Sequence, residues 1–256
     1  RKHASRMGDE NFVNDKYTSI LSLLELISGI NNNDEFKLRQ SIIKKVIKSK
    51  IKIDLTLPEL VIYNAFGFNL NNSEISDKIG KIIKLVELTN DYDSLIKTIE
   101  LNSLVDVWSF VKQYDENANT GFKNSIHQRF SDFNIKQLIA EFEERWTSEN
   151  LHHVKSKVVD YYANILLKNS PVKNNKTISQ IISSYDNSID IYLIAITLYV
   201  DEKISYKNTT GKNDYLDLNH LTYLHGPLNK IVTDDSLLHK IMNKIFPDNI
   251  LYTNGV

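Results

Sequence analysis

Residues Asn213–Asp235 read NDYLDLNHLTYLHGPLNKIVTDD. The expected fold turns on how this stretch is read. Its first part has helical spacing and carries Asp214, Asp217 and His220. Its last part, Lys230–Thr233, is a short apolar run that reads as a buried strand. That strand runs directly into two adjacent carboxylates, Asp234 and Asp235. In α/β sheets, ligands collect at the carboxyl ends of the strands. Acids placed there, opposite acids at the start of a neighbouring helix, make a site for a hard cation such as Mg2+ or Mn2+.

Working outward, the apolar run IDIYLIAITLYV (Ile189–Val200) reads as a buried core helix or a strand, and its length favours a helix. DEKISYKNTTGK, which follows, reads as a polar loop. On the other side, SLLHKIMNKIF reads as a closing helix and NILYT as an edge strand. Asn169–Lys176 is a turn-rich connector, and Thr177–Ser184 a short helix.

Near the start, Tyr17–Ile20 is a strand candidate. LSLLELISGI has Leu21, Leu24, Ile27 and Ile30 at helical spacing, and Ser22 with Glu25 forms a capping-box pattern. Asp34–Ser49 reads as a second helix, Ile51–Leu55 as a strand, and Pro58 opens a helix that ends near Gly67. From about residue 73 to 168 the pattern is helical almost throughout, with a break near Asn102. Phe122, Ile126, Phe130, Leu138, Phe142 and Trp146 fit one buried face. Short apolar strands alternating with helices predict an α/β fold: a small, mostly parallel sheet flanked by helices. The core is expected in residues 1–72 and 169–256, with 73–168 as a helical insertion or cap.

The totals narrow the function. With 31 basic and 32 acidic side chains there is no overall field, so any nucleic-acid footprint is local. Cysteine is absent, which excludes disulfides, thiolate catalysis and cysteine-ligated zinc, and fits the cytoplasm. No apolar run approaches the roughly 20 residues that span a bilayer, so no membrane partner is expected. There is no glycine-rich phosphate loop and no Ser/His/Asp nucleophile motif. The opening, RKHASRMGDENF, reads as a chain entered part-way through a domain, and a preceding segment is expected.

The early strand followed by SLLEL, together with D-x-x-H-L-x-Y and I-V-T-D-D late in the chain, resembles the PIN-domain superfamily of nucleases. The resemblance covers residues 15 to 67 and 177 to 250. It implies a PIN-like core and four acids at the carboxyl edge of its sheet. Glu25 matches the second acid, Asp217 the third with Asp214 beside it, and Asp235 the fourth with Asp234 as its alternative. Thr233 stands two residues before Asp235. The first acid has no counterpart upstream of Glu25. A segment before Arg1 would hold it, or its loss would leave the fold without catalysis.

What the resemblance implies is a hydrolase: a metal-dependent nuclease, more an endoribonuclease than a deoxyribonuclease, using Mg2+ or Mn2+. Glu25, Asp217 and Asp235 would be catalytic, with Asp214 and Asp234 as further metal ligands. Carboxylate-held divalent ions suit phosphodiester hydrolysis because they lower the water pKa and neutralise developing charge. Backbone phosphates need local cations, and the Lys-rich helix FKLRQSIIKKVIKSKIK offers Lys44, Lys45 and Lys48. The alternative is a non-catalytic PIN-like or helical scaffold. A protein partner or a homodimer through the helical insertion belongs to either reading.

Each feature also has a plain structural explanation. An Asp pair before a helix is often an N-cap. Glu25 suits a solvated helix face, His220 a packing role, and the lysines a solvated face. His152 and His153 are adjacent, so on a helix they diverge by about 100° and make a poor metal pair. Trp108, Trp146 and the other aromatics suit a core.

Overall fold

A computed structural model describes residues 17–49, 51–71, 73–131, 151–170, 175–205, 214–225, 229–233 and 235–252. Among them the chain is helical: eleven α-helices accompany two separate two-stranded ribbons. It divides into two compact units. The first comprises residues 1–57 and 71–118, and the second residues 58–70 and 119–256.

The first unit opens with β1 (Tyr17–Ser19), α1 (Ile20–Ser28), α2 (Asn33–Lys48) and β2 (Lys52–Asp54). β1 and β2 pair in parallel, with Ser19 opposite Asp54. Alternate apolar spacing buries Leu21, Leu24 and Ile27 of α1 and Phe36, Ile43 and Val46 of α2. Asn32 caps α2 by accepting from the Glu35 N–H at 2.9 Å, and the Glu35 carboxylate accepts in return from the Asn31 N–H at 3.1 Å. Helix α1 starts one residue after the strand ends. Ser19 holds its N-cap position without a side-chain cap bond, so Ser22 lies inside the helix and the expected capping box with Glu25 does not form. In the same unit, α4 (Ser73–Leu88) and α5 (Tyr92–Leu101) bury Ile79, Ile82, Val86, Leu95 and Ile99.

Two cations seal the end of α1. Arg39, buried on α2, donates through Nη1 to the carbonyls of Glu25 at 3.0 Å and Leu26 at 2.9 Å. Lys112, on α6 (Val105–Ser131), donates to the carbonyls of Ser28 at 2.8 Å and Ile30 and to the Asn31 side chain at 2.9 Å. Helix C-termini leave carbonyls without intrahelical partners, and cations there meet the negative end of the dipole. Burial first, then the nearby Arg39 charge, lower the Lys112 ammonium to about 8, with Glu35 acting against them.

The second unit holds α3 (Pro58–Ala65), α7 (Leu151–Lys168), α8 (Ile178–Ser183), α9 (Asp190–Ser205), α10 (Asp214–Asn219), β3 (Ile231–Thr233), α11 (Ser236–Ile245) and β4 (Ile250–Tyr252). Thr177 and Gln180 form a capping box on α8. The run IDIYLIAITLYV is helical and apolar on almost every side. Ile191–Ile196 and Leu198–Val200 are all buried, as in a helix enclosed by its neighbours. Val154, Val158 and Ala163 of α7, Leu218 of α10 and Leu238 and Ile241 of α11 share its cluster.

The expected PIN-like α/β core is corrected by this architecture. The strands are where the sequence suggests, and both pairings are parallel, β3 with β4 as well as β1 with β2. Each strand is only 3 residues long, however, and each has one partner among the described residues. A ribbon of that size buries too little to organise a core. The apolar mass lies in helices, α9 above all. A second difference concerns DEKIS: Asp201–Ser205 continues α9 instead of forming a loop.

The middle of the chain is helical where it is described. α5 and α6 are separated at Asn102–Leu104, where Ser103 takes a positive φ of 55°. Phe122 is half-buried in the second unit's cluster. Leu138, Phe142 and Trp146 lie outside the described residues, as do Arg1, Lys2 and Asp234.

Candidate acidic site around Tyr199

The acidic residues singled out above are 18 positions apart in sequence, from Asp217 to Asp235. In the second unit one of them, Asp214, meets a buried hydroxyl. Tyr199, on α9, is 1% exposed and donates its O–H to Oδ2 of Asp214. Burial, the hydrogen bond to Asp214, and then the charges of Asp214, Asp235 and Asp217 all push the phenol far above its ordinary value. Tyr199 therefore stays protonated and acts as a donor.

Lys203 completes the cluster. It stands one helical turn beyond Tyr199, on the same face of α9. Its Nζ lies 3.5 Å from Asp214 Oδ2 and 5.2 Å from the centre of the Tyr199 ring. Only 13% of the Lys203 side chain and 17% of the Asp214 side chain are exposed, so this pair is screened far less than a surface pair. Phe122 packs beside it, its ring 5.7 Å from Tyr199 and 4.8 Å from Tyr215. Glu202, next to Lys203, pairs with Lys240 of α11 at 2.5 Å.

Local structure explains these positions. Asp214 and Asp217 fall in the first turn of α10, where the helix dipole favours negative charge. Asp235 is the N-cap of α11: its Oδ1 accepts from the Leu238 N–H at 2.6 Å. Thr233 is buried at the end of β3, and its Oγ1 accepts from the Asp235 N–H at 3.0 Å. His220 begins a 3-10 turn (His220–Tyr223) and is half-buried. The plain reading of Asp235, as a helix N-cap, is the one its hydrogen bond to Leu238 shows.

The remaining expected site residues belong to the first unit. Glu25 is exposed on α1. Lys45 and Lys48 are exposed in the last turn of α2, with Lys44 half-buried, where cations suit the helix C-terminus. Sequence reasoning passed over Tyr199 and Lys203 because the first sits in an apolar run and the second in a stretch read as loop. Their spacing of four on a helix that continues is the signal that points to them.

Asp214 Oδ2 already takes the Tyr199 hydroxyl and the Lys203 ammonium, and Asp235 Oδ1 is used in the cap. Among the described residues no three His, Cys, Asp or Glu side chains are grouped so as to hold a metal ion. As arranged, the carboxylates are neutralised by a lysine and do not form a ready cation cage.

Fold and site together define a mostly helical protein of two units, with an aspartate held by a buried tyrosine and a lysine. Comparison with protein-family models, curated proteins and solved structures finds no match. No helix among the described residues is long and apolar enough to cross a membrane.

Proposed function

We propose that the protein is a nuclease: a phosphodiester hydrolase, acting on RNA in preference to DNA, that depends on Mg2+ or Mn2+. The observation that supports this most is the buried Tyr199 hydroxyl held by Asp214, with the charges of Asp235 and Asp217 acting on the same phenol. These acids stand at the starts of α10 and α11, and carboxylates that share a site are costly unless a positive charge meets them. In this reading Tyr199 holds one oxygen of Asp214, Asp217 and Asp235 supply further carboxylates, and Thr233 orients Asp235. Lys44, Lys45 and Lys48 contact backbone phosphates. Glu25 and Asp234 belong to the reading through the motif resemblance. The absence of cysteine suits a cytoplasmic setting.

A second reading is favoured by one observation. Lys203 already neutralises Asp214, and no metal-holding group stands among the described residues. In that reading the cluster is a structural ion-pair network, and the helical units bind a partner protein or a second copy of the chain without catalysis.

The test is a cleavage assay of the full chain on end-labelled single-stranded RNA and DNA, with Mg2+, Mn2+ or EDTA, and with Asp217→Asn alongside. Cation-dependent cutting that the substitution removes is the expected result. Absence of cutting in either metal, with no rise in melting temperature on adding the metal, would leave only the binding protein.

A further inference from the structure

We propose that the Asn219 amide is the polar anchor of a nucleobase-binding site, and that the base it takes presents a hydrogen-bond donor beside an acceptor, as adenine does. Neither the acids nor a cation takes part, so this site and the nuclease reading stand or fall separately.

Asn219 is the last residue of α10 and is 0% exposed. Its carbonyl is used: it accepts from Thr222 Oγ1 at 2.8 Å. Its side chain is not. Among the described residues neither Nδ2 nor Oδ1 has a hydrogen-bond partner. Buried polar atoms are nearly always paired, and an unpaired one destabilises the fold. Leucine would fill a similar space without that cost. The amide offers one acceptor and one kind of donor side by side in a plane. Its complement is a planar edge with a donor and an acceptor at matching spacing.

Aromatic faces stand beside it. Tyr215 lies one turn earlier on the same face of α10. Its ring is 4.8 Å from Phe122, which is 5.7 Å from Tyr199. Asn219 acts on the Tyr215 hydroxyl, opposing the rise that burial causes there, but stands outside hydrogen-bond distance of it. Unstacked bases are held on aromatic faces and read along their edges. Asparagine pairs bidentately with adenine, accepting from N6 and donating to N7. Adenine suits this amide because its N6 amine lies between two ring acceptors, N1 and N7, so either edge presents the required pair. Phe122 and Tyr215 are half-buried while Asn219 is sealed, so a base reaches the amide only as the packing around it opens.

The experiment is calorimetric titration of the full chain with adenosine and with purine riboside, which lacks the N6 amine. Wild type is expected to bind adenosine about tenfold more tightly than purine riboside. Asn219→Leu, which removes both amide atoms, should bind the two nucleosides equally while keeping or raising the melting temperature. The comparison of ligands in wild type stands even where that variant fails to fold. No binding of adenosine by wild type would overturn the site and leave a buried water as the partner of the amide. Equal binding of the two nucleosides by wild type, or an undiminished preference in folded Asn219→Leu, would overturn the role of Asn219.

Discussion

The Tyr199 hydroxyl donates to the Asp214 carboxylate from a side chain that is 1% exposed. A hydrogen bond from a buried phenol to a charged acceptor contributes more than a neutral one. Tyr199→Phe keeps the ring but leaves Asp214 without that donor, and should cost about 1.5–3 kcal/mol in urea unfolding. A combined Tyr199→Phe, Asp214→Asn variant should lose less than the two single changes summed, because each removes the other's partner.

The helix cap made by Asp235 can be separated from the role proposed for it in cleavage. Asn caps helices as well as Asp does. Asp235→Asn should therefore stay within about 0.5 kcal/mol of wild type in thermal unfolding while losing cleavage. Asp235→Ala should lose about 1 kcal/mol as well, through the cap bond to Leu238. Undiminished cleavage by the Asn variant would limit Asp235 to capping.

Arg39 and Gly29 form a close structural pair. A Cβ at Gly29 would stand 2.1 Å from Cζ of Arg39, whose guanidinium is held by the Glu25 and Leu26 carbonyls. Gly29→Ala must displace it, so destabilisation of about 1–3 kcal/mol is expected. Pairing Gly29→Ala with Arg39→Ala should relieve the clash, and a double-mutant cycle by urea unfolding measures the coupling.

Lys112 predicts a pH dependence. Its folded value, about 8, lies below the ordinary lysine value of 10.5. Below pH 8 it is charged in both states, and the native state bears the full cost of that buried charge. As pH rises from about 8 towards 10.5 the native state releases its proton first, so the unfolded state binds more protons and stability rises with pH. The melting temperature of wild type should rise relative to that of Lys112→Met across that window. A constant gap would mean that the ammonium is fully solvated.

Tyrosines act in the opposite direction at higher pH. Tyr185, Tyr192 and Tyr199 are all raised, burial being the first cause in each, with the hydrogen bonds of Tyr185 to Asp190 and Tyr199 to Asp214 adding to it. The native state therefore keeps protons that the unfolded state releases near pH 10, and stability should fall above that pH. During alkaline titration a fraction of the phenolate absorbance should appear only together with unfolding.

Much of the local structure was legible in the residues themselves. Apolar spacing marked α1 and α2, the length of its apolar run favoured a helix over a strand for α9, Asn102 marked the break before α6, and short apolar or β-branched runs marked Tyr17–Ser19 and Ile231–Thr233. These signals are local, because helix and strand periodicities repeat within a few residues. Asp214, Asp217 and Asp235 were legible by their place at helix starts and after a strand, where chain direction alone puts acids.

What the sequence by itself determined, then, is which segments are helical or extended and which acids stand at their ends. Tertiary structure alone decided how those segments add up. Among the described residues the short strands pair two by two instead of forming one sheet, because strand pairing is a non-local choice that apolar pattern does not encode. It also decided that Asp214 meets Tyr199 and Lys203, and that Arg39 and Lys112 seal α1. Such contacts join side chains far apart in sequence, and only packing determines which partner neutralises a buried charge.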